Sequence, residues 1–124
     1  MPPPDLPLVD EGVLADLLAS TGDDPAFIRE LLETYLAETP EQMAAMTAAV
    51  DANDADALVR PAHTLKSSSA TLGAMRLSAL ARELEMAGRS GSLAPSVRGL
   101  LDAATEAWAG TGEGLEAWFS GRDG

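Results

Sequence analysis

Apolar side chains recur along this chain at every third or fourth residue and nowhere at every second one. That is the period of helices with one buried face, not of half-buried strands. Val13, Leu14, Leu17 and Leu18 form the stripe of a short first helix. Asp10 is placed to cap it, and Thr21-Gly22-Asp23 ends it. Asp24-Pro25 reads as an N-cap acid followed by proline in the first turn. Ile28, Leu31, Leu32, Tyr35, Met43, Met46 and Val50 then keep helical spacing to about Val50. Pro40 interrupts this stretch and predicts a kink or break. The stripe resumes beyond it, so one bent helix is expected.

Asp51-Ala52-Asn53-Asp54 makes a turn with a fresh cap. A third long helix follows, with Leu58, Ala62, Leu65, Ser69 and Leu72 on one face and Pro61 disturbing its early part. Leu72-Gly73-Ala74 reads as a turn in which Gly73 is free to take positive φ. The next helix carries Leu77, Leu80, Ala81, Leu84 and Ala87, and Gly88-Arg89-Ser90-Gly91 is expected to close it. The last helix is expected to begin between Ser92 and Ser96 and to use Val97, Leu100, Leu101, Ala104 and Trp108. Gly110, Gly112 and Gly114 should fray it, with Leu115, Trp118 and Phe119 packing as a final turn. The pattern predicts an all-α fold: an antiparallel four-helix bundle with an additional short N-terminal helix. The expected division is a flexible tail over 1–9, the bundle over 10–119 and a C-terminal tail over 120–124.

Composition narrows the chemistry. With 124 residues and 46% hydrophobic side chains, the chain can bury one domain's core. The absence of cysteine excludes a disulfide scaffold and any thiolate metal site. MPPPDLPLVD lacks a basic region and a long apolar run, so no signal peptide is expected. No stretch approaches the ~20 apolar residues a membrane span needs. A cytoplasmic, monomeric protein is the expectation. The net charge of −12 argues against nucleic acid and anionic membrane surfaces as partners.

The charge is unevenly spread. Residues 57–82 contain no carboxylate and four bases: Arg60, Lys66, Arg76 and Arg82. The single histidine, His63, and the single lysine, Lys66, stand one helical turn apart inside this stretch. The stretch reads as a local docking or anion-handling surface. His63 falls beside the core stripe, so its ring should reach solvent. Its same-face neighbours are Val59, Lys66, Ser67 and Ala70. One histidine cannot build a metal site, but a neutral imidazole can act as a nucleophile toward phosphorus. A lysine one turn on could attract phosphoryl oxygens. Lone histidines on exposed helix faces are by default ordinary solvated side chains, and periodicity and charge alone do not separate the two readings.

The run from Ala62 through Ala74, AHTLKSSSATLGA, resembles the signature of histidine-containing phosphotransfer domains, and the likeness continues through Leu77, Leu80, Ala81 and Leu84-Glu85. About residues 10–109 match that family's layout. The resemblance implies that His63 is the phosphorylated nucleophile and that Lys66 gives electrostatic support. The family commonly has glycine where Ser67 stands, so Ser67 bears on access to the phosphoryl group. The implied partners are response-regulator receiver domains and a hybrid sensor histidine kinase. Arg60, Val59, Ala70 and Arg76 are the expected partner contacts. No cofactor or metal of its own is implied; Mg²⁺ is expected on the receiver. Such a protein is a phosphocarrier rather than an enzyme with independent turnover. Two alternatives stay open: the phosphoacceptor domain of a chemotaxis-type histidine kinase, and a helical adaptor that carries no phosphate. Met1 and the tail 121–124 are compatible with a small separate protein and equally with a piece of a longer chain.

Overall fold

The computed structural model describes residues 6–123, and all five elements in it are helices: α1 (Glu11–Ser20), α2 (Pro25–Asp51), α3 (Ala55–Thr71), α4 (Met75–Arg89) and α5 (Ser96–Asp123). Three of them start as the sequence predicts. Asp10, Asp24 and Asp54 each accept backbone N–H bonds from the first turn that follows, as at Gly12 (3.0 Å), Ala26 (3.1 Å) and Ala57 (3.1 Å). Each cap satisfies donors that the helix leaves unpaired and stabilises its start by about 1 kcal/mol. Pro40 and Pro61 lie inside α2 and α3, and neither helix is divided there.

The core forms where the four long helices meet. It is built from Ile28, Leu32 and Met46 of α2, Leu58 and Leu65 of α3, Leu77 and Leu84 of α4, and Leu101 and Leu115 of α5. Burying each such side chain stabilises the fold by roughly 1.5–3 kcal/mol. α3 packs most extensively against α4 and also against α2, while α5 touches both α4 and α2. α1 is a minor contributor that buries Leu14. Gly73 closes the α3–α4 turn at φ 77°, and its flat backbone lets Asp10 N–H donate to its carbonyl at 2.7 Å. A Cβ at Gly73 would lie 2.7 Å from the Asp10 carbonyl oxygen.

The ends of the chain depart from expectation. Part of the expected tail, residues 1–5, lies outside the described residues. Residues 6–9 are tied down: Arg76 donates through its backbone to Pro7 and through Nε to Leu6, and Thr111 donates to the Leu8 carbonyl. The last helix does not fray at its glycines, and it runs into the expected C-terminal tail as far as Asp123. Gly110 and Gly114 face the N-terminal segment. A Cβ at either would come within 2.6 Å of Leu8 and 2.8 Å of Val9, respectively. The close packing of that segment outweighs the weak helix propensity of glycine, about 1 kcal/mol per residue.

Candidate functional site

α3 turns Leu58, Ala62, Leu65 and Ser69 into the core and leaves His63 at the edge of that stripe. The His63 side chain is 54% exposed, and its Nδ1 lies 3.0 Å from Oε2 of Glu85 on α4. Glu85 is itself buried, on the inward stripe that also carries Ser78, Ala81 and Gly88. A buried carboxylate is costly unless it is paired. This one meets Lys66 Nζ at 2.8 Å from Oε1, and Arg89 at 2.8 Å (Nη2) and 2.9 Å (Nε) from Oε2.

The Lys66 ammonium is the main reason that Glu85 is drawn from the ordinary 4.5 down to about 2. Burial works in the opposite direction, and the bonds from Arg89 and His63 add to the lowering. Glu85 is therefore an anion at neutral pH, an acceptor and not a donor. Facing it, Nδ1 of a neutral imidazole must carry the proton. The lone pair then sits on Nε2, on the other side of the ring.

The seam between α3 and α4 is held in register around this carboxylate. Ser78 donates to the Lys66 carbonyl at 2.8 Å. One turn past Glu85, in the last turn of α4, Gly88 is also a notch: it is buried, and a Cβ there would stand 2.9 Å from both the Ala55 carbonyl oxygen and Val59 Cγ2. The helices can approach closely only because this position has no side chain.

The expected site residues separate into groups. His63 and Lys66 come together, joined through Glu85. Ser67 and Ala70 are exposed on the same face of α3, as is Arg60 one turn before the histidine. Val59 is half-buried and packs on Gly88, so it serves the helix seam more than an outer surface. Arg76 holds Leu6 through its guanidinium at 2.8 Å and is engaged in fastening the N-terminal segment. Lys66 is committed to Glu85 and is not a free cation.

Two residues of the cluster are absent from the expected set: Glu85 as the partner of the ring, and Arg89. A signal for Glu85 exists, since an acid on the core stripe of a helix must find a cation or a donor. The acid-free stretch 57–82 is also not acid-free in space. Glu85 lies at its centre, and Glu38 and Glu41 of α2 line a groove with Arg60.

Among the described residues no group of three or more side chains could hold a metal ion. The arrangement presents one oriented, solvent-reaching imidazole whose reaction partner must arrive from outside. The model of the Hpt domain family matches residues 30–113, more than half of the chain. The structure of histidine-containing phosphotransfer protein B from Pseudomonas aeruginosa is similar, with a TM-score of 0.79 and 30% identity, over 92% of this chain and 96% of that one. No curated protein matches.

Proposed function

The chain belongs to the Hpt domain family, and from that premise we propose that it is a phosphorelay intermediate in which His63 takes a phosphoryl group from a receiver aspartyl phosphate and passes it to another receiver. The observation that carries this reading is the Glu85 contact to Nδ1 at 3.0 Å, which leaves Nε2 as the nucleophile. The Nε2 lone pair attacks phosphorus, the bond from phosphorus to the aspartyl oxygen breaks, and the aspartate leaves as a carboxylate. Nδ1 keeps its proton, so the ring becomes cationic as the N–P bond forms. Glu85 stabilises that charge. The same steps run backwards when the second receiver accepts the group.

Lys66 and Arg89 act through Glu85 as positioning residues, holding the carboxylate ionised and in place. Ser67 and Ala70 keep the approach to Nε2 low. The partners in this reading are receiver domains, one of them joined to a hybrid sensor kinase, and Mg²⁺ belongs to the receiver. We read α2 to α5 as an antiparallel bundle because their connections are short, and the protein as a cytoplasmic monomer. No helix among the described residues is long and apolar enough to cross a membrane.

The test is to load the protein with phosphoramidate and record ³¹P and ¹⁵N spectra. A single N–P bond at Nε2 of His63, with Nδ1 protonated, is the expected result. Phosphorus on Nδ1, or on a hydroxyl or carboxyl group, would overturn the reading.

A further inference from the structure

The two oxygens of Glu85 are used unequally. Lys66 takes Oε1 at 2.8 Å, while Arg89 and the His63 ring both hold Oε2, Arg89 at 2.8 and 2.9 Å and Nδ1 at 3.0 Å. Arg89 and the ring therefore compete for one acceptor. The pair between ring and acid is dry on one side and wet on the other. Glu85 is buried, whereas the imidazole is exposed and is followed on its face by the small, exposed Ser67 and Ala70. A phosphoryl group on Nε2 accordingly stands in water, while the group that faces Nδ1 does not.

When an N–P bond breaks, its electron pair returns to Nε2. With a proton on Nδ1 the ring leaves as neutral imidazole; without it the ring must leave as an imidazolate anion, a far poorer leaving group. Water attacking the protonated form gives neutral imidazole and dihydrogen phosphate, and a receiver carboxylate gives neutral imidazole and an acyl phosphate. The proton on Nδ1 thus governs how long the group survives and how readily it moves on. Glu85, an anion bonded to Nδ1, favours that proton; Arg89 opposes it by sharing Oε2 and by like charge. Lys66 of α3 also opposes it, from Oε1. The remaining charges about the ring are of both signs: Arg60 one turn before it, Arg82 and Glu83 of α4 in a groove with Lys66, and Glu38 and Glu41 of α2 in a groove with Arg60 and Thr64. Among the described residues, Glu85 is the charged group bonded to the ring.

We infer that Glu85 and Arg89 act in opposition to set the lifetime of the phosphorylated ring, Glu85 shortening it and Arg89 lengthening it, so that the protein passes its phosphoryl group on and does not store it. The inference rests on the reading of His63 as the phosphorylated nucleophile. Arg89 is here a positioning residue with a sign of its own: it draws Oε2 away from Nδ1 and so tempers the acid. A merely structural role would give the two residues the same sign, since loss of either would loosen the same seam.

The experiment needs no receiver. The full chain is loaded with phosphoramidate, the donor is removed, and the ³¹P signal of phosphohistidine is followed with time from about pH 5 to 8, where a histidine ring changes charge. The unaltered chain is compared with Glu85→Gln, Arg89→Ala and Glu41→Gln, the last making the same chemical change on an exposed acid of α2. Glu85→Gln should hold its phosphoryl group about tenfold longer at neutral pH, the difference between a charged and a neutral acceptor for the Nδ1 proton. Its lifetime profile should be displaced toward acid. Arg89→Ala should lose the group faster than the unaltered chain, with its profile displaced toward alkali, and Glu41→Gln should match the unaltered chain. Arg89 is exposed, so its variant keeps the test open should Glu85→Gln lose its helical spectrum. Lifetimes that move in the same direction in the two variants, or do not move, would overturn the inference and leave the relay reading standing. Failure of the unaltered chain to form phosphohistidine would instead overturn the relay reading.

Discussion

α3 buries polar groups against each of its two neighbours, and the two seams handle them differently. Against α2, Tyr35 and Ser69 share a 2.7 Å hydrogen bond in the core, with Thr39 bonded to the Tyr35 carbonyl and Trp108 edge-on to the phenol ring. Burial drives the Tyr35 hydroxyl up to about 12 against the lowering influence of Ser69 and Thr39, so the network is neutral across the working pH range. Against α4, Glu85 gathers Lys66, Arg89 and His63 around a full charge, and the cluster opens to solvent at the imidazole. A closed neutral network with its bonds made can only hold two helices together. A charged one, left open on one side, retains a group that can react. The comparison predicts that the two seams fail in different ways when altered.

The largest effect is expected at the charged seam. Glu85→Ala should slow phosphotransfer by about 10–100-fold, the loss typical when the group orienting a functional histidine is removed. It also strands Lys66 and Arg89 without their common partner. Glu85→Gln should lose less, because its amide oxygen can still accept from Nδ1–H. Transfer rates with a labelled receiver check both. Equal rates for the three proteins would mean that Glu85 does not orient the ring.

Acid separates the seams next. Glu85 is paired in the fold and not in the unfolded chain, so its pKa is lower in the folded state. Its stabilisation is therefore complete above the ordinary carboxylate value of 4.5 and is lost as pH falls toward about 2. Thermal melts over that window should show the unaltered protein losing more stability than Glu85→Gln, while Tyr35→Phe follows the unaltered protein. Parallel curves for all three would remove the charged cluster from the account.

At the neutral seam the loss should be structural. Tyr35→Phe leaves the buried Ser69 hydroxyl without its partner, which costs about 1–3 kcal/mol. A lower Tm with unchanged transfer is expected, and a loss of transfer at full stability would contradict the division of labour. The smallest effect belongs to the exposed face between the seams. Ser67→Gly should cost about 1 kcal/mol or less in helix stability and leave transfer intact. A large loss of transfer would mean that the Ser67 hydroxyl takes part in the chemistry.

The same contrast explains what could be read from the chain alone. Elements governed by local signals were legible: the Asp10, Asp24 and Asp54 caps, the Gly73 turn, the helical stripes, and His63 with Lys66 one turn apart. Features that depend on how distant segments meet were not. Gly110 and Gly114 looked like helix breakers because the segment they accommodate, Leu8 and Val9, lies a hundred residues away. Gly88-Arg89-Ser90-Gly91 closes α4 as its composition indicates, but the second role of Gly88, as the notch that receives Val59 and Ala55, depends on another helix. The basic run 57–82 looked uniform because Glu85, Glu38 and Glu41 enter it only through packing. Glu85 could have been suspected as an acid on a core stripe, but its pairing with His63 requires the register between α3 and α4.

The central claim is that His63 alone carries the phosphoryl group, and label transfer from a phosphorylated receiver tests it most directly. Label should move to this chain, persist in mild alkali and be lost in acid, as a phosphoramidate requires. His63→Gln should abolish it while the helical spectrum and Tm stay nearly unchanged, because the side chain is 54% exposed and contributes little to the core. Full labelling of the His63→Gln protein would contradict the account.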